Sequence, residues 1–289
     1  MLQQQLKSFF KNKVVLCTGA AGSIGSALCR KLAQLPLKQL IILDQDETGV
    51  FDIYEELKNK CKTEYIIANI REKENIAKLF RKYSPDIVYH AAALKHVALM
   101  EKWPEEAYKT NIIGTINLID AAISTNVQKF IFISSDKAVN PLSVMGKTKK
   151  LGEVSCLARN GATKFIVVRF GNVMPSRGSV VPIFQKLIAE GKNLPVTHKR
   201  MERYFMGIYD AAMLILKATL LGKGGEVFIL DMGESMLISE LAKIMVRLSG
   251  KDLDIYYTKP AKGEKLTEVL MTKEEKKRAE KIGNLYVIR

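Results

Sequence analysis

An apolar stretch, Lys13 to Leu16, runs into Thr18-Gly19-Ala20-Ala21-Gly22-Ser23-Ile24-Gly25, and Leu28 and Leu32 then keep helical spacing. Strand, glycine-rich turn and helix in that order constrain the chain more than any other feature. Glycines at 19, 22 and 25 tighten the turn and let backbone N–H groups approach a pyrophosphate at a helix N-terminus. Gly19, Ala21, Gly22, Ser23, Ile24 and Gly25 are therefore candidate dinucleotide contacts.

The pattern continues as a doubly wound α/β sheet would require. Leu40 to Leu43 reads as the second strand and Asp44 ends it, 44 − 25 = 19 residues past the last glycine. A carboxylate there accepts from ribose hydroxyls and repels a 2′-phosphate, which favours NAD over NADP; Asp44 could instead cap the helix that follows. Tyr65 to Ala68 is a third strand, followed by Asn69-Ile70-Arg71. Asp86 to Tyr89 is a fourth, leading into His90-Ala91-Ala92-Ala93-Leu94-Lys95-His96-Val97. Small residues after a strand let a cofactor lie close to the backbone. Ile131 to Ile133, Phe165 to Phe170 and Glu226 to Asp231 supply further strands, and Leu237 to Leu248 an amphipathic helix. In such a sheet the ligand sits at the carboxyl ends of the strands.

That rule presents Ser134-Ser135-Asp136-Lys137 to a site. Asp136 and Lys137 put a carboxylate beside an amine, each able to shift the other's pKa. Met145 and Lys149 follow, four residues apart and so on one helix face. This arrangement resembles the short-chain dehydrogenase/reductases, which place Ser or Thr at a strand end and then Tyr-x-x-x-Lys, with Met145 here in the Tyr position. Asp136-Lys137 is similar to the acid/base pair of the nucleotide-sugar 4,6-dehydratases, many of which carry Asp-Glu. Ser135 to Pro141, Ser-Asp-Lys-Ala-Val-Asn-Pro, then Val-Met-Gly-x-Thr-Lys, resembles their polysaccharide-biosynthesis branch, the UDP-N-acetylglucosamine 4,6-dehydratases, in which Tyr or Met occurs.

The resemblance extends over roughly Lys13 to Leu270 and implies roles. The Thr-Gly-x-x-Gly-x-x-Gly turn is that of the extended members. Asn69 and Ile70 would flank the adenine, Asn69 standing where the family has Asp. Ala91, Ala92 and Ala93 would touch the cofactor, and Lys95 and His96 the substrate or cofactor. Asn111, in Asn111-Ile112-Ile113-Gly114-Thr115 on the next helix, matches an Asn that supports the active site. Gly171 to Pro182 matches the family string except at Pro175, which replaces Gly. Asn172 and Arg177 are thereby candidates for a nucleotide diphosphate, since Arg offers a planar fork of donors; Ser179 and Val180 share the string. Arg203, in Met201 to Met206, is a second phosphate candidate. Glu264 stands in Gly263-Glu264-Lys265-Leu266-Thr267-Glu268, where Ala261-Lys262 replaces the family's Arg-Pro. Lys149 would hold the nicotinamide ribose. Ser135 or Ser134 would bind the sugar's C4 oxygen. Asp136 would be the acid toward C6, and Lys137 the base at C5, which requires a neutral amine. Met145 accepts no proton.

The chain has 289 residues and 47% hydrophobic content, which suits a large α/β domain with a smaller lobe. The expected division is an NAD-binding Rossmann domain at 1–170 plus 207–232, and a C-terminal substrate-binding lobe at 171–206 plus 233–289. Net charge is +15, but the Lys residues are scattered and no nucleic-acid motif accompanies them. The densest run, Lys273 to Lys281, mixes signs and reads as a solvated helix face. No stretch reads as a membrane span or secretory signal. Cys17, Cys29, Cys61 and Cys156 lack metal spacing and read as reduced cytosolic thiols. No metal spacing links His90, His96 and His198, and His90 reads as structural. The expectation is a cytoplasmic enzyme, a homo-oligomer, using NAD on a UDP-sugar. A UDP-sugar epimerase or reductase, or a non-catalytic NAD-binding sensor, are the alternative readings.

Overall fold

The computed structural model describes residues 1–289. Its strands are β1 (Val14–Thr18), β2 (Gln39–Asp44), β3 (Thr63–Ile67), β4 (Ile87–His90), β5 (Lys129–Ile133), β6 (Lys164–Arg169) and β7 (Asn172–Met174). Then follow β8 (Leu194–Val196), β9 (Glu202–Gly207), β10 (Val227–Leu230), β11 (Ser235–Leu237), β12 (Ile255–Tyr257), β13 (Glu280–Ile282) and β14 (Leu285–Ile288). Nine of them form one sheet in the order β13-β14-β10-β6-β5-β4-β1-β2-β3. From β3 to β10 neighbours are parallel, and β14 and β13 close the edge antiparallel.

The alternation of side chains along each strand builds the layers. Val15, Cys17, Ile131, Ile133, Ile166 and Val168 face one core, completed by helices at the N-terminus, at 23–32 and at 208–221. Val14, Leu16, Phe130, Phe132, Phe165 and Val167 face a second core against helices at 73–83, 115–124 and 144–158. A sheet covered on both faces exposes no strand position, and β1 and β4 are buried throughout, their polar ends Thr18 and His90 bonded to each other. The fold is a doubly wound α/β sheet of Rossmann type with a smaller lobe.

That lobe contains the sheet β11-β9-β7 and the pair β12-β8. Its own small core gathers Phe184, Ile188, Leu194, Val196, Met201 and Ile238. Two expectations change here. The C-terminal strands at 280–288 belong to the large sheet, since β14 pairs with β10, so the lobe excludes them. The charged run forms a helix only over Lys273–Arg278, and Glu275 turns inward to Arg169. No helix is long and apolar enough to cross a membrane.

Candidate active site

The strand order reverses between β1 and β4, and there the groove opens. Gly19 has φ +70, and a Cβ on it would lie 2.6 Å from the Ala91 carbonyl carbon, so only glycine permits this approach. Gly22 caps the helix Ser23–Leu32 without a side-chain hydrogen bond, which leaves its first N–H groups available to a ligand. Asp44 Oδ2 accepts from Ala21 N at 3.0 Å, and its Oδ1 accepts from Gln45 N at 2.7 Å. The next helix is capped by Asp46, which accepts from Gly49 N at 3.1 Å, so capping is not the role of Asp44. Asn69 Oδ1 accepts from Arg71 N at 3.0 Å, and Ile70 is buried against Gly114.

Two cavities, of about 230 and about 580 Å³, form this groove and share Gly19, Gly22, Ala91, Ala93, Leu94 and Arg177. The smaller is lined by Asp44, Asn69, Ile70 and Ala92; the larger reaches Ser23, Ile24, Gly25, Ser135, Lys137, Met145 and Lys149. The bare glycine cradle, the uncapped helix end and the strand-end carboxylate fit a dinucleotide. Gly19, Ala21, Gly22 and Asp44 would hold its adenosine and phosphates, with Lys149 at the other end.

At the reactive end Lys149 is 7% exposed. Its Nζ donates to the Ile133 carbonyl and lies 4.2 Å from the Phe132 ring centroid. Burial pushes its pKa down to about 8, while Glu153 and Cys156 act in the opposite direction. Behind it His90 is buried between Thr18 Oγ1 at 2.8 Å and Thr115 Oγ1 at 2.9 Å. Burial first, then Lys149, lower its pKa to about 3, so it is a neutral structural ring. Asn111 lies on a π-helical turn, Lys109–Gly114. Its amide donates to Leu94 O and Thr148 Oγ1, both at 3.0 Å, and its Oδ1 accepts from Leu94 N at 2.8 Å. It braces the groove wall from behind and lines neither cavity. Met145 is buried beside Met100 and Ala107 and borders the larger cavity.

Asp136 is fully buried. Its Oδ1 accepts from Ser135 Oγ at 2.8 Å and from Lys137 Nζ at 3.0 Å, while its Oδ2 has no hydrogen-bond partner. It lines neither cavity, whereas Ser135 and Lys137 do line the larger one. A ligand in that cavity would therefore meet Asp136 through those two side chains. Ser134 borders the same cavity but donates its hydroxyl to Glu153 Oε1 at 2.6 Å. That hydroxyl is committed away from a ligand, so Ser135 is the serine at the cleft.

The expected substrate residues divide. Lys95, His96, Asn172 and Ser179 line the larger cavity. Burial lowers the pKa of Lys95, and burial with the Lys95 charge lowers that of His96. Arg203 and Glu264 line a third, polar cavity of about 90 Å³, which meets the larger one at Lys137 and Asn172. Arg203 is ion-paired to Glu264 at 3.1 Å and also donates to Leu266 O at 3.0 Å, so part of its fork is already used. Val180 starts the helix Val180–Ala189 and packs on the lobe core, away from these cavities.

Arg177 departs most from expectation. Its backbone N donates to Ser23 Oγ at 2.9 Å, its carbonyl accepts from Lys95 Nζ at 2.7 Å, and its guanidinium lies 3.4 Å from Asp46 Oδ2. The loop at 174–179 thus crosses the dinucleotide groove, and the guanidinium stands at the Asp44 end. Asp46, Gln45 and Thr110 also line that end. Sequence reading passed over them; the acidic pair flanking Gln45 was the available signal for Asp46.

Residues 15–289 match the family model described as polysaccharide biosynthesis protein. The chain is 45% identical over 280 residues to the probable polysaccharide biosynthesis protein EpsC of Bacillus subtilis, covering 94% of this chain and 47% of that protein. It spans about half the length of the first curated relatives it matches. It is 37% identical over 287 residues to the UDP-N-acetylglucosamine 4,6-dehydratase (inverting) of Campylobacter jejuni, covering 96% of this chain and 83% of that one. The X-ray structure of Pen from Bacillus thuringiensis is similar with a TM-score of 0.91 at 36% identity, covering 97% and 89%.

Proposed function

The chain belongs to the polysaccharide biosynthesis protein family, and from that premise we propose that it is an NAD-dependent nucleotide-sugar 4,6-dehydratase acting on UDP-N-acetylglucosamine. The observation that carries this reading is Lys137. It stands where the larger cavity meets the polar one, 3.0 Å from a buried carboxylate. An epimerase, which only removes and returns hydrogen at one carbon, has no use for such a pair. The likeness to the Campylobacter enzyme supports the same substrate class.

Bound NAD would take up hydride from C4 of the sugar and return it to C6. The chain's own residues do the proton work. Lys137 passes a proton along its existing hydrogen bond to Asp136 Oδ1, which discharges a buried ion pair. The neutral amine then removes the hydrogen on C5, acidified by the ketone at C4. The proton on Asp136 reaches the cleft through Ser135 Oγ and goes to the C6 oxygen, which leaves as water. Lys137 is then protonated and Asp136 ionised, as they began; when hydride returns to C6, C5 takes a proton from solvent, which matches the proton that the C4 hydroxyl gives up. Lys149 holds the ribose end of the cofactor. Met145 takes no proton, so the C4 hydroxyl loses its proton to a group other than residue 145. Arg203 and Asn172 serve the nucleotide diphosphate as donors.

The test is an NMR time course with UDP-N-acetylglucosamine in deuterated water. A 4-keto-6-deoxy product with deuterium at C5 is expected, and its C5 configuration is read in the same spectrum. A product epimerised at C4 that keeps its C6 hydroxyl would overturn the reading.

A further inference from the structure

Behind the cleft lies a charged cluster that the proposed mechanism does not use. Glu153 is fully buried, and Arg169 is 1% exposed. Arg169 grips Glu153 with both ends of its fork, Nε to Oε1 at 2.6 Å and Nη2 to Oε2 at 2.7 Å. Its remaining nitrogen, Nη1, reaches Glu275 at 2.9 Å. Ser134, at the end of β5, donates to the same Glu153 oxygen at 2.6 Å. Lys150 approaches the other oxygen at 3.3 Å from a more exposed position.

We propose that Arg169 and Glu275 are positioning residues: they fix Glu153, and through it the helix Val144–Ala158 and the ammonium of Lys149 that this helix presents to the groove. The inference rests on the reading of Lys149 as a cofactor-holding group.

The geometry supplies the reasons. Glu153 is four residues past Lys149 and so shares its helix face. The cluster ties that helix to the carboxyl ends of β5 and β6, the strands that deliver Ser134 and Phe170 to the larger cavity. Two carboxylates face one guanidinium and the more exposed Lys150, and Lys149 is the buried cation one helical turn from Glu153. A buried ion pair is poor value as a stability device, since apolar residues of similar size often serve as well. Glu275 is delivered by a helix more than a hundred positions along the chain, held by a capping box in which Thr272 and Glu275 bond each other's backbone. Around Lys149 the titratable groups are Glu153 and Cys156 on its own helix and His90 on β4. His90 stays neutral near pH 7, which leaves Glu153 as the anion that can favour the charged amine.

The experiment compares wild type with Glu275→Gln. Lys149 is titrated directly in the chain without cofactor, by NMR of labelled lysine, and NAD affinity is measured by calorimetry on both sides of pH 8. The wild-type midpoint is expected near 8. In Glu275→Gln it should fall by about one unit, weakening NAD binding about threefold at a pH midway between the two midpoints and about tenfold well above both. An unchanged midpoint and unchanged affinity, with only the melting temperature lowered, would overturn the proposal and leave the cluster a purely structural one. If Glu275→Gln does not fold, the triple replacement Glu153→Leu, Arg169→Met, Glu275→Gln removes the cluster without stranding a charge. The same downward shift is expected there, and its absence overturns the proposal. Should wild type bind no NAD at any pH, the cofactor reading fails by itself, while the Lys149 titration still decides this inference.

Discussion

Lys137 and Lys149 are both amines at the cleft, and their surroundings assign them different work. Lys137 reaches a carboxylate at 3.0 Å, so it has somewhere to send a proton. Lys149 reaches only a backbone carbonyl and an aromatic face, which suits a fixed charge. Lys137→Met is expected to stop deuterium entering C5 and to cut turnover by roughly 10²–10⁴-fold; near-normal turnover with C5 exchange would defeat the Asp136–Lys137 assignment. For Lys149 the pH dependence follows from its folded pKa of about 8, below the unfolded value of about 10.4. Between these values the unfolded chain binds the extra proton, so stability should rise with pH across that window. Below it the folded state carries the cost of a buried charge. Lys149→Met should therefore raise the melting temperature at neutral pH, flatten that rise, and weaken NAD binding. Chemical unfolding of both proteins at several pH values checks it. These residues were legible in the sequence because they follow a strand end and share a helix face. What sequence spacing could not supply was the direction of each hydroxyl and carboxylate. Ser134 and Ser135 are neighbours, yet one bonds Glu153 and the other Asp136.

The loop at 174–179 shows what an element adds. Read as a string, Asn172 to Pro182 pointed to a sugar-nucleotide contact. Folded, its segment 174–179 crosses the dinucleotide groove, anchored by Ser23 and Lys95 through the Arg177 backbone, while Asn172 stays at the polar cavity. Those anchors are main-chain, so Arg177→Ala keeps the crossing and removes only the guanidinium near Asp46. An exposed pair of this kind contributes at most about 1 kcal/mol, hence NAD affinity should fall about fivefold or less, with sugar-nucleotide affinity unchanged. Calorimetry with each ligand separately measures this, and a loss confined to the sugar nucleotide would return Arg177 to the substrate. The π-helical turn at 109–114 escaped sequence reading for a related reason: its signal is one extra residue in a helical pattern. In the structure that turn aims Asn111 at Leu94 and Thr148, in line with the tendency of such turns to occur at functional sites.

At the scale of the whole molecule, the strands β1, β2, β4, β5 and β6 were readable because each is a largely buried apolar run; their order in the sheet was not. The lobe and the far edge were not, since β7, β8, β11, β12 and β13 have only three residues each, too few for an alternation to register. Their pairing is fixed by long-range contacts, as when β14 docks on β10. This layout gives the two ligands different reach. The smaller cavity of the dinucleotide groove is built from segments after β1, β2, β3 and β4 with Thr110, and the 174–179 segment crosses it. The polar cavity is completed by Arg203 on β9 and by Gly263, Glu264 and Glu268. We propose that the lobe is the sugar-nucleotide half of the site. NAD at a hundredfold excess over its Kd should stabilise the protein by about 2.7 kcal/mol. Hydrogen exchange should then show protection at 19–25, 44–46 and 91–95. Adding UDP-N-acetylglucosamine should extend that protection to 172–206 and 261–268, because closing the polar cavity requires both halves together. Protection by the sugar nucleotide confined to the large sheet would remove the lobe from substrate binding and leave Arg203 and Glu264 as a structural pair.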